Sequence, residues 1–130
     1  MKAVKINLAG RERYLAFTGE AMFQIQEKFG GTPELLEAMK GNTREAYTAT
    51  YEAAAILAEQ GELARRHMGY EPEPIIDVET LRRTTTPGDI AEIILAIPRV
   101  IAIGYGREVG PDDDVVDLGL AELNSQKKTS

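Results

Sequence analysis

Cysteine is absent from this chain, histidine occurs once, as His67, and serine twice, as Ser125 and Ser130. Each scarcity closes off a class of chemistry. Without cysteine there is no disulfide framework, no thiolate nucleophile and no cysteine-ligated metal, although this leaves the compartment open. One histidine and no cysteine make no zinc site. Both serines lie at the C-terminal end, in NSQKKTS. That stretch holds no core residue, so neither serine is held rigidly beside a base as a Ser-His-Asp triad requires. His67 stands in ARRHMG at the end of a helical pattern. A cation there suits the negative end of the helix dipole, which outweighs a reading as general base. Basic charge is also short. Lys and Arg number 15 against 21 Asp and Glu, a net charge of -6, which argues against general nucleic-acid binding. The N-terminal MKAVKINLAGRERYLAF alternates instead of running apolar. It is therefore not a signal peptide, and a cytoplasmic protein is the default.

What is present reads as one ordinary soluble domain: 130 residues, 43% hydrophobic and 28% charged, enough for a single core. Its most apolar stretch is residues 86–106, TPGDIAEIILAIPRVIAIGYG. As a helix it has charge only on the narrow stripe of Asp89, Glu92 and Arg99, with Ile, Val, Leu or Ala on every other face. Such a helix is expected to be buried by others and to act as the core element. Thr86 and Pro87 supply its start, and Gly104 and Gly106 its end. Pro98 either kinks one helix or separates two elements, and a pair of buried strands broken there is the competing reading. Arg99 interrupts the run before the ~20 residues a membrane span needs.

The rest of the chain divides at its turn residues. Val4, Ile6 and Leu8 alternate with polar neighbours, Ala9-Gly10-Arg11-Glu12 supplies a turn, and residues 14–17 a second strand, so residues 2–18 are predicted to form a β-hairpin. Thr18 caps a short helix with Met22, Ile25 and Phe29 on one face, ended by Gly30-Gly31. Thr32-Pro33-Glu34 opens another. A long helix follows from about Thr43, with Tyr47, Tyr51, Ala54 and Ala58 as its stripe and an alanine run that permits close helix approach. Gly61 is expected to bend or restart it. Pro72 and Pro74 make residues 70–76 a connector, and Asp77 caps a short helix through Arg83. The predicted fold class is α+β, mostly helical: one globular domain over residues 1–106, with its hairpin at 2–18 and helices at 19–106. An acidic, partly disordered tail is expected at 107–130.

Candidate sites resolve mostly into negatives. Asp112-Asp113-Asp114 with Asp117 fails the EF-hand register, because Asp117 stands where glycine is needed and Leu123 where glutamate is needed. Gly104-Tyr105-Gly106 lacks the third glycine of a dinucleotide loop and follows a helix. The arginine pairs 65–66 and 82–83 read as solvated surface, and the acids single out no acid/base pair. No catalytic, cofactor-binding or metal residue is predicted. Two features point to protein binding. Val115, Val116, Leu118, Leu120 and Leu123 form an apolar patch in the acidic tail that suits docking in a groove, or packing on its own domain. The hairpin, with two strands, exposes two edges that suit pairing with another chain, although cover by a helix or loop of the same chain is the more common outcome.

The order of features carries a resemblance. Val4, Ile6, Leu8, Gly10, Glu12, Tyr14, Leu15, Phe17 and Thr18 lead into Glu27, Phe29 and Gly30, then TPELL and an alanine-rich helix. This resembles the small tail assembly chaperones of long, non-contractile-tailed bacteriophages and prophages, clearly over about residues 4–60 and in general character beyond. The resemblance implies a mostly helical, non-enzymatic protein without cofactor. Such proteins bind the tape-measure protein, keep its long hydrophobic helices soluble and recruit tail-tube subunits in the bacterial cytoplasm. Many are also made in a longer form by ribosomal frameshifting. No partner-contact residue carries over from the family. A homo-oligomer follows as an expectation from masking a long partner, with neither nucleic acid nor membrane involved. A structural virion component, such as a tail-completion or connector protein, is the alternative. A small ligand-binding domain or carboxylate enzyme is the third reading, and it requires a pocket with converging Glu, Asp or Tyr side chains.

Overall fold

Ala9 and Gly10 turn the chain for the first time, with φ of 55° and 76°. Two consecutive left-handed residues between strands are the signature of a two-residue hairpin turn whose twist matches its strands. They join β1 (Lys2–Leu8) to β2 (Arg11–Leu15) in the register Val4 opposite Leu15 and Leu8 opposite Arg11. The computed structural model describes residues 1–107 and 114–119. Among them the chain forms three strands and five helices: α1 (Gly19–Phe29), α2 (Thr32–Ala38), α3 (Arg44–His67), α4 (Val78–Thr84), α5 (Pro87–Gly104), and β3 (Val115–Asp117) after the last helix. The fold is α+β and mostly helical.

β3 changes the sheet from the expected hairpin. It pairs antiparallel with β1, Val4 opposite Val115 and Lys2 opposite Asp117, so the strand order is β2-β1-β3. The described fold therefore extends past the boundary placed at Gly106, and the β1 edge that a lone hairpin would expose is covered along Lys2–Val4 by a strand of the same chain. The side chains of β1 sort by parity. Val4, Ile6 and Leu8 enter the main core with Leu15, whereas Ala3 joins Ala16 and Leu118 in a smaller cluster.

The helices start where their caps lie. The Thr18, Thr43, Asp77 and Thr86 side chains each accept a backbone N–H of the first turn, and Thr86 with Asp89 completes a capping box. Each such cap supplies an acceptor to an N–H that the helix itself leaves unbonded.

The organising helix is α3, not α5. α3 packs against β2, α1, α2, α4 and α5, and twelve of its residues are buried against five of α5. Alanine explains this. Ala46, Ala49, Ala53, Ala54 and Ala58 are buried along α3, and small side chains let neighbours approach from several directions. Gly61 serves the same end where β2 crosses. α3 runs through it as one helix, without the expected restart. A Cβ on Gly61 would fall on the Tyr14 carbonyl oxygen, with the Tyr14 carbonyl carbon at 2.6 Å. One turn earlier, the Ala16 N–H donates to the Leu57 carbonyl at 3.1 Å. Strand and helix thus touch backbone to backbone.

α5 is one helix through Pro98, not two strands. Proline removes the amide that would bond Ile94. Pro98 lies on the exposed side, where water can reach that carbonyl. The expected all-round burial does not hold. Ile93, Ala96, Ile97, Val100 and Ile101 are buried, whereas Leu95 is 76% exposed. An apolar pattern shows that a helix can be covered on every side, not that the chain has enough other elements to cover it.

A candidate partner-binding groove

The apolar residues singled out in the tail divide between two situations. Val115 and Val116 are half-buried in β3, and Leu118 is fully buried. Its carbonyl accepts the Tyr70 hydroxyl at 2.9 Å. These three close the sheet of their own domain, and Leu118 is not presented to a partner. Leu120 and Leu123 lie outside the described residues. His67 occupies the last turn of α3 beside Arg65 and Arg66. Among the described residues no cluster of three His, Asp or Glu side chains is arranged to hold a metal ion.

Carboxylates converge in one cleft of about 370 Å³, lined by Arg11, Arg13, Tyr14, Glu62, Arg65 and Glu73 among others. Its centre is Glu62, 8% exposed. Glu62 accepts from Arg65 Nη1 at 2.6 Å, Arg66 Nε at 2.9 Å and the Glu73 N–H at 2.8 Å. Burial alone would push its carboxyl up. The Glu73 amide and the two guanidinium groups outweigh burial and hold it below its ordinary range. Arg65 lies between two rings, 5.6 Å from the centre of Tyr14 and 5.0 Å from that of Tyr70, a favourable place for a cation.

The same cluster fastens the connector between α3 and α4. Arg13 Nη1 donates to the Pro74 carbonyl at 2.7 Å, Arg66 Nη2 to the Glu73 carbonyl at 2.8 Å, and Arg11 pairs with Glu73 at 3.1 Å. A carboxyl held ionised by cations is a poor general acid. The arrangement acts as a clasp.

What the clasp holds in place is the wall of a larger groove. Beyond Pro74, Ile75 and Ile76 face α1 and α3 across a groove of about 690 Å³. Its apolar surface is Ala55, Ile56, Ile75, Ile76 and Val78, and Ile75 is 41% exposed. Among the described residues its rim is acidic: Glu20, Glu27, Glu52, Glu59 and Asp77 against Lys28, and Lys28 is engaged by Glu52 at 2.5 Å. Asp77 also caps α4, and the Thr80 amide holds its carboxyl below the ordinary range.

No family model, curated protein or solved structure matches this chain. The groove must be read from its own chemistry. It offers an apolar strip between two helices, flanked by negative charge, with no concentration of donors for a phosphate and no cation-binding cluster among the described residues. That combination suits an amphipathic segment with apolar anchors and basic flanks.

The sequence does not reveal this groove in advance. Its acids come from α1, α3 and the residue before α4, and each alone reads as ordinary helix surface. The nearest signal is Ile75-Ile76, an apolar pair just after a proline-rich connector. Nor does any helix have the length and apolarity to cross a membrane, among the described residues.

Proposed function

We propose that this chain is a non-enzymatic assembly chaperone of phage or prophage tails. In this reading it works in the cytoplasm of the bacterial host, binds the tape-measure protein and brings tail-tube subunits to it. The observation that carries the reading is the groove between α1, α3 and the connector, apolar along its floor and acidic along its rim. A tape-measure protein presents long apolar helical faces that need cover before assembly. A groove of this kind shields such a face while its acids select basic flanks and keep the complex soluble. The order of hairpin, capped helix and alanine-rich helix supports the same reading by resemblance. The carboxylates of the clasp, each engaged by a cation, fit a binding protein better than a catalyst.

The test is co-expression with a phage tape-measure protein. The two are expected to co-purify at low salt. Ile75→Glu and the double variant Glu20→Lys/Glu27→Lys, all at exposed positions, are each expected to weaken the complex about tenfold, or ~1.4 kcal/mol, with unchanged circular dichroism. A tape-measure protein that stays insoluble, or binds both variants as well as the wild type, refutes the proposal. Detection of the chain in finished tails would instead favour a structural virion component.

A further inference from the structure

The uncovered side of α5 has an internal order of its own. Ala91, Glu92, Leu95, Pro98, Arg99 and Ala102 recur at steps of three and four about Leu95, so they form one stripe along the helix. Leu95 is its centre and the most exposed of the large apolar side chains among the described residues, at 76%. Glu92 lies one turn before Leu95 and Arg99 one turn after.

We infer that this stripe is the contact between two copies of the chain, packed antiparallel about a two-fold axis passing at Leu95. A two-fold axis there carries Leu95 onto the partner's Leu95 and brings Glu92 beside the partner's Arg99, twice over. A self-complementary patch with opposite charges three and four residues either side of its centre is what an isologous contact needs. Small residues at both ends, Ala91 and Ala102, let the two helix backbones approach. Beside Leu95 a hollow of about 430 Å³ opens between β1 and α5, room for the partner's Leu95.

Charge singles out a second copy as the occupant. The chain carries a net charge of -6, and the groove on α1 and α3 would repel its own image. The α5 side is balanced. Among the described residues, the ionisable groups lining it are Lys5 and Arg99 against Glu92 and Asp114. Arg99 Nη1 reaches both Asp114 carboxylate oxygens at 3.1 Å, which fixes the guanidinium at the rim of the stripe. Among these groups, two copies meet here without like charges opposed. The stripe from residue 91 to 102 is roughly 17 Å long at the helical rise, so the contact belongs to the small class. This inference does not depend on what fills the acidic groove.

The absence of cysteine makes the test clean. In the full chain, Leu95→Cys is expected to link to itself under mild oxidation at least about tenfold faster than Phe23→Cys, a control at a position 52% exposed on α1. Sedimentation of the wild type across a concentration series is expected to rise towards twice the chain mass of 14.3 kDa. Glu92→Arg, at an exposed position, is expected to weaken association about tenfold. A mass of one chain at every concentration overturns the inference, and so does Leu95→Cys linking no faster than the control. Leu95→Cys that ignores itself and links to a co-expressed tail protein assigns the stripe to that partner and overturns it equally.

Discussion

Replacing Gly61 by alanine tests the central packing claim because two physical effects oppose each other. In an exposed helix interior Gly→Ala adds about 1 kcal/mol of stability. Here the added methyl would fall on the Tyr14 carbonyl oxygen, and lie 2.6 Å from its carbon and 3.4 Å from the Leu15 nitrogen. A methyl carbon needs about 3.2 Å from an oxygen, so α3 and β2 must separate by roughly 1 Å or more. Overpacking of this kind costs about 1–3 kcal/mol. Stretching the Ala16 to Leu57 hydrogen bond, 3.1 Å long, adds about 1–2 kcal/mol in a buried setting. Against the propensity gain, the net loss is about 1–4 kcal/mol, or a Tm lower by roughly 4–16 °C in a domain of this size. Urea titration followed by circular dichroism reads it as a lower midpoint at unchanged slope. Gly19→Ala is the control, since nothing lies within 4 Å of its added methyl. It is expected to stay within about 0.5 kcal/mol of wild type or above it. If Gly61→Ala stabilises the protein like an exposed helix glycine, the account of how α3 meets β2 is wrong.

Two further outcomes follow. Glu62→Gln removes the one anion facing two guanidinium groups in a buried clasp, and is expected to cost about 3 kcal/mol at pH 7. Because the folded Glu62 carboxyl lies below its ordinary range, the unfolded chain takes up this proton first as pH falls. The contribution is present in full above the ordinary carboxyl value near pH ~4.3 and is lost as pH drops through the lower folded value, so the gap between wild type and Glu62→Gln should narrow on acidification. A gap that stays constant from neutral to acid pH contradicts the clasp. Ala9→Asn, in the left-handed turn before Gly10, is expected to raise stability by about 0.5–1 kcal/mol, because Asn-Gly suits both turn positions better than Ala-Gly. A lower Tm would show that the turn is held by something other than its own dihedral preferences.

Local signals proved readable where one residue type decides the backbone. Thr18, Asp77, Thr86 and Pro87 mark helix starts whichever elements pack nearby, and the alternation of Val4, Ile6 and Leu8 fixes which side of the strand is buried. Burial itself was less readable. The isoleucine-rich α5 has the stronger apolar signal, yet the alanine-rich α3 lies at the centre, because hydrophobic content measures what a helix gains from cover while side-chain size decides how many neighbours can reach it. Gly61 looks like a defect in sequence and is a contact in three dimensions. β3 was missed for a related reason. Three residues, Val115 to Asp117, beside a run of acids carry too short an alternation to announce a strand, and only the β1 edge defines one. The groove was invisible because its walls come from three separated segments, brought together by a clasp whose arginines read singly as solvent-exposed.

The sheet order β2-β1-β3 also has a consequence in time. β1 is the middle strand, and its two neighbours are made far apart: β2 follows within a few residues, whereas β3 begins at Val115. At about 5–20 residues per second, a ribosome leaves the Lys2–Val4 edge of β1 without its strand partner for roughly 5–20 s after the hairpin has been made. During that window the nascent chain carries an unsatisfied strand edge beside its first helices. A cell that makes this protein in quantity is therefore expected to meet its folding hazard on the ribosome, before the last strand has been synthesised, and slower translation of the second half of the message would lengthen it.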